Sequence, residues 1–350
     1  MRRIAVIPGD GIGVEVTGAA RQVLDAAARR HGLRLAYEEY DWSCQRYLAE
    51  GAMMPPDGLD RLRPADAILL GAVGWPGVPD HVSLWGLLIP IRRTFRQYVN
   101  LRPIRVFPGV QSPVRNARPG EVDLVVVREN VEGEYSEIGG RLHRGDPAEM
   151  AVQEAVFTRV GVSRIVDYAF SLARTRRSYV TSATKSNGIV HTMPFWDEIV
   201  AERAAGHPDV RWDAEHIDAL AAKLVLQPER FDVIVGSNLF GDILSDLAAA
   251  VAGSIGIAPS ANLDPTGTFP SMFEPVHGSA PDIAGQGVAN PLGAVWSAAL
   301  MLDHLGAPAA AADVVGAIET CLRDPATRTK DLGGTAGTRE VVDALLDQLR

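Results

Sequence analysis

Short apolar-rich runs at Ile4–Ile7, Leu33–Tyr40, Asp66–Val73, Asp123–Asn130, Met150–Phe157, Tyr179–Ala183, Val210–Ala214 and Val233–Gly236 have the length and composition of strands. Between them, apolar residues recur every three or four positions. That period predicts helices at Val14–Arg30, Leu84–Phe95, Thr158–Arg174, His191–Ala205 and Ile217–Leu226. Three more close the chain, near Leu292–His304, Asp313–Leu322 and Thr338–Gln348. Strands alternating with helices imply an α/β fold around a mainly parallel sheet. Gly133–Gly140, the polar turn RLHRGDP and the strand after it predict an extended hairpin projecting from a second domain. Ser271–Pro291, punctuated by glycines and prolines, predicts an ordered functional loop.

The most informative periodic stretch is GSNLFGDILSDLAAAVAG, Gly236–Gly253. Leu239, Phe240, Ile243, Leu244, Leu247 and Val251 predict one buried helical stripe, with Ser237 or Asn238 as N-cap and Gly253 as the stop. Asp242 and Asp246 are four apart and share a face. Like charges so placed cost a helix about 0.2–0.5 kcal/mol, and no Lys or Arg occurs from Phe231 to Leu322 to relieve them. A divalent cation held by oxygen ligands would; a solvated acidic face is the plainer alternative.

Length and charge narrow the class. A chain of 350 residues suggests two domains at about 150 residues each. They are placed at 1–98 plus 253–350, with 99–252 inserted as the second. A net charge of −9 without a basic tract argues against a nucleic-acid partner. Cys44 and Cys321 match no metal spacing and suit a reduced, cytoplasmic setting. No apolar run is long enough to predict a membrane span.

Candidate chemistry lies where strands end. PGDGIG follows the first strand, but Gly9, Gly11 and Gly13 do not meet the G-x-G-x-x-G spacing, so a dinucleotide fingerprint is absent there. Arg92, Arg93, Arg96, Arg102 and Arg105 form a basic cluster, and Arg128 ends the apolar strand DLVVVREN. Such a cluster is commonly a solvated face, yet arginines at strand ends suit bidentate capture of carboxylates. Three such residues suggest a small dianionic substrate. Lys185 stands just past the strand Tyr179–Ala183.

PGDGIG, NLRP, VREN-x-EG-x-Y, the Lys185 turn, GDILSDL and EPVHGSAPDIAG-x-G-x-ANP occur in the order and at the spacing of the β-decarboxylating hydroxyacid dehydrogenases. The chain resembles that family, which includes the isocitrate, isopropylmalate, homoisocitrate and tartrate/D-malate enzymes, over nearly its whole length. DWSCQRYLAEGAMMP, GAVGWP, VPDHVSLWG, TSATKSNG and PSANL look most like the tartrate/D-malate branch. The resemblance implies an isocitrate/isopropylmalate dehydrogenase-like two-domain fold and a homodimer whose active sites borrow residues across the interface. It implies substrate carboxylates on Arg92, Arg102 and Arg128, and Mg²⁺ or Mn²⁺ on Asp242 and Asp246 with Asp218 of the partner subunit. It makes Lys185, supplied by the second subunit, the base and Tyr135 the acid. A K⁺ ion is a further cofactor compatible with it. For NAD it implies Glu274, His277, Gly278, Ser279, Ala280, Asp282 and Asn290. The Asp282 carboxylate suits two ribose hydroxyls and would repel a 2′-phosphate.

The implied reaction is oxidative decarboxylation of a 2-hydroxy diacid, D-malate or tartrate first. Two positions depart from that branch. Pro90 stands where it usually has a lysine, and Val131 where relatives usually have Thr or Ser. Leu88 and Ile89 could wall an alkyl group, as in 3-isopropylmalate, whereas Trp85 puts bulk where a large substituent would go. A biosynthetic relative acting on another malate-like acid is a further alternative. A non-catalytic regulatory subunit would show eroded aspartates, lysine or tyrosine, and none is eroded.

Overall fold

The computed structural model describes residues 1–115 and 117–350. Its strands are β1 (Arg2–Gly9), β2 (Leu35–Glu39), β3 (Ala67–Ala72), β4 (Val99–Arg105), β5 (Asp123–Glu129), β6 (Gly139–Leu142), β7 (Met150–Gln153), β8 (Tyr179–Thr184), β9 (Arg211–His216), β10 (Val233–Gly236), β11 (Pro259–Leu263) and β12 (Ser271–Pro275). The helices are α1 (Ile12–Arg30), α2 (Cys44–Glu50), α3 (Gly58–Leu62), α4 (Asp80–Ser83), α5 (Ile89–Thr94), α6 (Arg159–Arg174), α7 (Thr192–Ala204), α8 (Ile217–Leu226), α9 (Asn238–Val251), α10 (Leu292–His304), α11 (Pro308–Arg323) and α12 (Thr338–Gln348).

Among the described residues, ten strands form one sheet in the order β2-β1-β3-β12-β11-β4-β5-β10-β8-β9. Residues 1–98 and 253–350 supply the first five of these and residues 99–252 the other five. Pairing is parallel in both outer parts and antiparallel through β12-β11-β4-β5 at the centre. The inner parallel strands β3 and β10 read as continuous apolar runs, as strands covered on both faces do, and are buried throughout.

β11 has no counterpart in the sequence-based expectation, and β12 lies inside what reads there as loop. Both are central and fully buried. Their short runs PSANL and SMFEP carry polar residues at buried positions, so they lack an apolar signature. Partners on neighbouring strands satisfy those groups: Asn100 Nδ2 donates to Ser260 Oγ (2.8 Å) and Asn262 Oδ1 (2.9 Å), and Asn130 Nδ2 also donates to Asn262 Oδ1 (2.9 Å).

Two helices also differ from expectation. The helix expected at Leu84–Phe95 begins at Asp80 and contains a π turn, Leu84–Leu88, between α4 and α5. Pro90 explains it. Without an N–H, Pro90 cannot bond back to Gly86, and the Ile89 N–H reaches Leu84 five residues back. In α9, Ser237 Oγ caps the helix by accepting from Phe240 N. Its apolar stripe is split: Phe240, Leu244, Ala248 and Val251 face the core, whereas Ile243 is 51% exposed and Leu239 and Leu247 are half-buried. The β6–β7 hairpin is exposed throughout, Ile138, Leu142, Met150 and Val152 included.

Candidate active site

A cleft of about 240 Å³ opens along the C-terminal ends of β3 and β5. Arg92 from α5, Arg102 from β4, Arg128 from β5, Tyr135, Asp242 from α9, Glu274 from β12, and His277 and Gly278 just after it all line it. Period-two alternation along β4 and β5 delivers the arginines, since Arg102 and Arg128 emerge buried beside α9. Gly241 permits the approach: a Cβ there would lie 2.5 Å from Arg128 Cβ.

The two aspartates that no nearby cation relieves in sequence are relieved across the sheet. Arg102 Nη1 lies 3.3 Å from Asp242 Oδ1 and 3.2 Å from Asp246 Oδ1, and donates to Ser245 Oγ at 2.6 Å. Arg128 Nη1 pairs with Asp242 as well. Tyr135 Oη donates to Asp242 Oδ2 at 2.8 Å. Burial pushes the Asp242 carboxyl up, but Arg128, Arg102 and the tyrosine bond outweigh it and hold it below the usual range. Asp246 is raised, by burial first. Tyr135 is pushed up to about 12 by burial and Asp242, so its phenol keeps its proton. Arg128 is lowered to about 10 by burial and Arg102, against the pull of Asp242.

Because one guanidinium nitrogen touches both Asp242 and Asp246, their oxygens converge on a common point. Two hard carboxylates so placed fit a Mg²⁺- or Mn²⁺-sized ion and leave coordination positions open. Among the described residues, no three His, Cys, Asp or Glu side chains of one chain gather as a metal site. Asp218 stands apart on α8, exposed, and accepts from Lys185 Nζ at 2.6 Å. That contact lowers its pKa. Neither Lys185 nor Asp218 lines the cleft.

The apolar wall is made by Leu84 and Leu88, one on each end of the π turn. Ile89, expected beside Leu88, is buried and outside that wall, because the π turn shifts its phase on the helix. Trp85 is not in the lining either; the Arg93 guanidinium sits 5.0 Å over its ring. Val131 contributes through its backbone, its N–H donating to Glu129 Oε1 at 2.8 Å.

Glu274 accepts from Arg92 Nη2 (2.8 Å) and Asn262 Nδ2 (2.7 Å). In the following loop, burial lowers the His277 pKa, and its Nε2 is buried without a partner among the described residues. The Ser279 carbonyl accepts from Ile12 N at 2.8 Å. The tight glycine turn makes this possible, as a Cβ on Gly11, φ +58°, would lie 2.1 Å from that oxygen. Ala280 holds φ +37°, Asp282 is exposed, and Asn290 Nδ2 donates to Asp331 Oδ2 at 2.9 Å. PGDGIG therefore braces the HGSAPD loop. Leu84, Ser245 and Asn238 belong to the cleft surroundings without having been singled out for it in sequence. Asn238 was legible by spacing, four before Asp242 and so on the same helical face.

A family model described as isocitrate/isopropylmalate dehydrogenase matches residues 3–345. A Bacillus subtilis (strain 168) protein named probable tartrate dehydrogenase/decarboxylase is 55% identical over 349 residues, 99% of this chain and 98% of its own length. The D-malate dehydrogenase [decarboxylating] of Escherichia coli (strain K12) is 55% identical over 351 residues, covering 98% and 97%. Among solved structures, isocitrate dehydrogenase from Methylococcus capsulatus superposes with a TM-score of 0.90 at 35% identity, covering all of both chains.

Proposed function

The chain belongs to the isocitrate/isopropylmalate dehydrogenase family, and from that premise we propose that it uses NAD and a divalent metal to oxidise and decarboxylate D-malate or tartrate. The observation that carries this reading is the convergence of Arg92, Arg102, Arg128, Tyr135 and Asp242 in one small cleft. Arg102 and Arg128 bind the substrate carboxylates through charge-assisted hydrogen bonds, and Arg92 completes the cationic pocket. Asp242 and Asp246, with Asp218 of the partner subunit, hold Mg²⁺ or Mn²⁺. When bound, the ion lowers the pKa of the substrate hydroxyl and stabilises developing negative charge. Lys185 Nζ of the second subunit takes the 2-hydroxyl proton, and NAD, when bound, would supply the hydride acceptor for C2. Tyr135 Oη returns a proton to the carbon that loses CO₂, consistent with a phenol that stays protonated in the cleft.

NAD binds along the loop from Glu274 to Asn290, with Asp282 accepting from the adenine-ribose hydroxyls. The apolar face of half-buried Leu239 and Leu247 and exposed Ile243, continuous in helical spacing with Asp242 and Asp246, supports a homodimer that joins the two halves of the site. Two buried free cysteines suit a cytoplasmic setting. Leu84 and Leu88 favour 3-isopropylmalate as the second reading, because they offer an alkyl group an apolar wall that Trp85 does not fill.

The test is NADH formation with Mn²⁺ and D-malate, L-tartrate, meso-tartrate or 3-isopropylmalate. Turnover of D-malate or a tartrate is expected. Turnover of 3-isopropylmalate alone would transfer the function to the second reading, and no turnover with any of the four would refute both.

A further inference from the structure

We infer that Asn238 is a positioning residue that aims Arg128 into the cleft and, by using a neutral amide, reserves the arginine's charge for a substrate carboxylate. This rests on the reading of Arg128 as a carboxylate binder. Asn238 is 3% exposed and opens α9, one turn before Asp242. Its Oδ1 accepts from both Nε (3.0 Å) and Nη2 (2.7 Å) of Arg128. Its Nδ2 donates to the Glu132 carbonyl at 3.0 Å. The amide can serve both partners in one orientation only: reversed, it would turn its N–H groups on the guanidinium and its oxygen on a carbonyl.

Arg128 offers five N–H donors. Two go to Asn238 and one to Asp242, which leaves two free of these partners on a side chain that lines the cleft. The charges in the cleft are not matched alike. Arg92 has the buried carboxylate of Glu274, whereas Arg102 and Arg128 share Asp242, with Asp246 also beside Arg102. If Asp242 and Asp246 turn their oxygens to a metal ion, Asn238 is the fixed partner that Arg128 keeps. An amide holds the guanidinium in place without neutralising it. A carboxylate at 238 would hold it equally well and compete with the substrate.

Asn238→Asp separates these roles, since its carboxylate can accept the same two N–H bonds. Kinetics with Mn²⁺, NAD and D-malate are paired with calorimetric binding of malonate, a dicarboxylate that cannot be oxidised. The expected result is a KM for D-malate raised about ten-fold or more and malonate binding weakened alike, with kcat and the KM for NAD within about two-fold. An unchanged KM for D-malate and unchanged malonate affinity would mean that Asn238 only pins a side chain, and would overturn the proposal. Melting temperature reports separately on the lost bond to Glu132. If the aspartate variant does not fold, Asn238→Ala decides: weakened D-malate and malonate binding with the NAD constant preserved supports the role, and unchanged binding refutes it. Arg128→Lys is the control on the underlying reading. Undiminished malonate affinity there would refute the carboxylate role of Arg128 itself, whatever Asn238 does.

Discussion

Asp242 is where the electrostatics of single residues meet, touching Arg102, Arg128 and Tyr135 at once. Asp242→Asn keeps its shape and removes the charge. Metal-dependent NADH formation should fall at least about 100-fold while the circular dichroism spectrum is retained, and persistent activity would refute its assignment as a ligand. Glu129 is a second residue with a legible sign. It is 1% exposed; Oε1 accepts from Val131 N and Glu132 N, and Oε2 has no hydrogen-bond partner among the described residues. Burial raises its pKa to about 7, against the opposing pull of Arg164 and the two backbone bonds. A carboxyl raised on folding holds its proton longer in the native state than in the unfolded chain. Stability is therefore lost as pH rises from about 4.5 towards 7, by roughly 3 kcal/mol in all. Glu129→Gln should melt higher than the parent at pH 8 and show no such advantage at pH 5. An equal difference at both pH values would rule out this ionisation as the cause.

At the scale of elements, the π turn sets the cleft wall. Leu84 and Leu88, four apart and so on one face, line the cavity from a π turn in which Ile89 N bonds five residues back, a register that Pro90 favours. Pro90→Ala restores an N–H able to reach Gly86. If the turn relaxes to an α-helix, Leu84 and Leu88 shift in phase against α5 by up to about 100° and the wall turns away from the cavity. The expected outcome is a drop of about ten-fold in preference for 3-isopropylmalate over D-malate, measured as substrates or competing inhibitors. An unaltered ratio would mean that other residues hold the wall. Elements with strong periodicity were legible in sequence: α8, α10, α12 and β10 have the predicted bounds. Strands β11 and β12 were not, because the buried residues Ser260, Asn262 and Ser271 look like loop until partners on other strands supply their hydrogen bonds.

At the scale of the whole molecule, the candidate site is divided. One cleft gathers Arg92, Arg102, Arg128, Tyr135 and Asp242, while Lys185 and Asp218 pair with each other outside it. If each active site takes its cleft from one subunit and its lysine from the other, two inactive variants can repair each other. Lys185→Ala and Asp242→Asn, unfolded and refolded together in equal amounts, should recover about one quarter of the parental activity, because half the dimers are mixed and each holds one intact site. No recovery, with mixed dimers demonstrated, would show that the site is not shared in this way.

The sequence by itself determined the α/β class, the family, most helix positions and the identity of nearly every candidate side chain. Those depend on local period and on motifs whose spacing survives without coordinates. Only the tertiary structure decided which cations meet Asp242 and Asp246, since Arg102 and Arg128 lie more than a hundred residues away and reach α9 through strand order. It also decided that Leu84 rather than Ile89 lines the wall, and that Asn238 grips Arg128. The phase of a helix past a proline and the partner of a buried amide are set by packing, which no local pattern records.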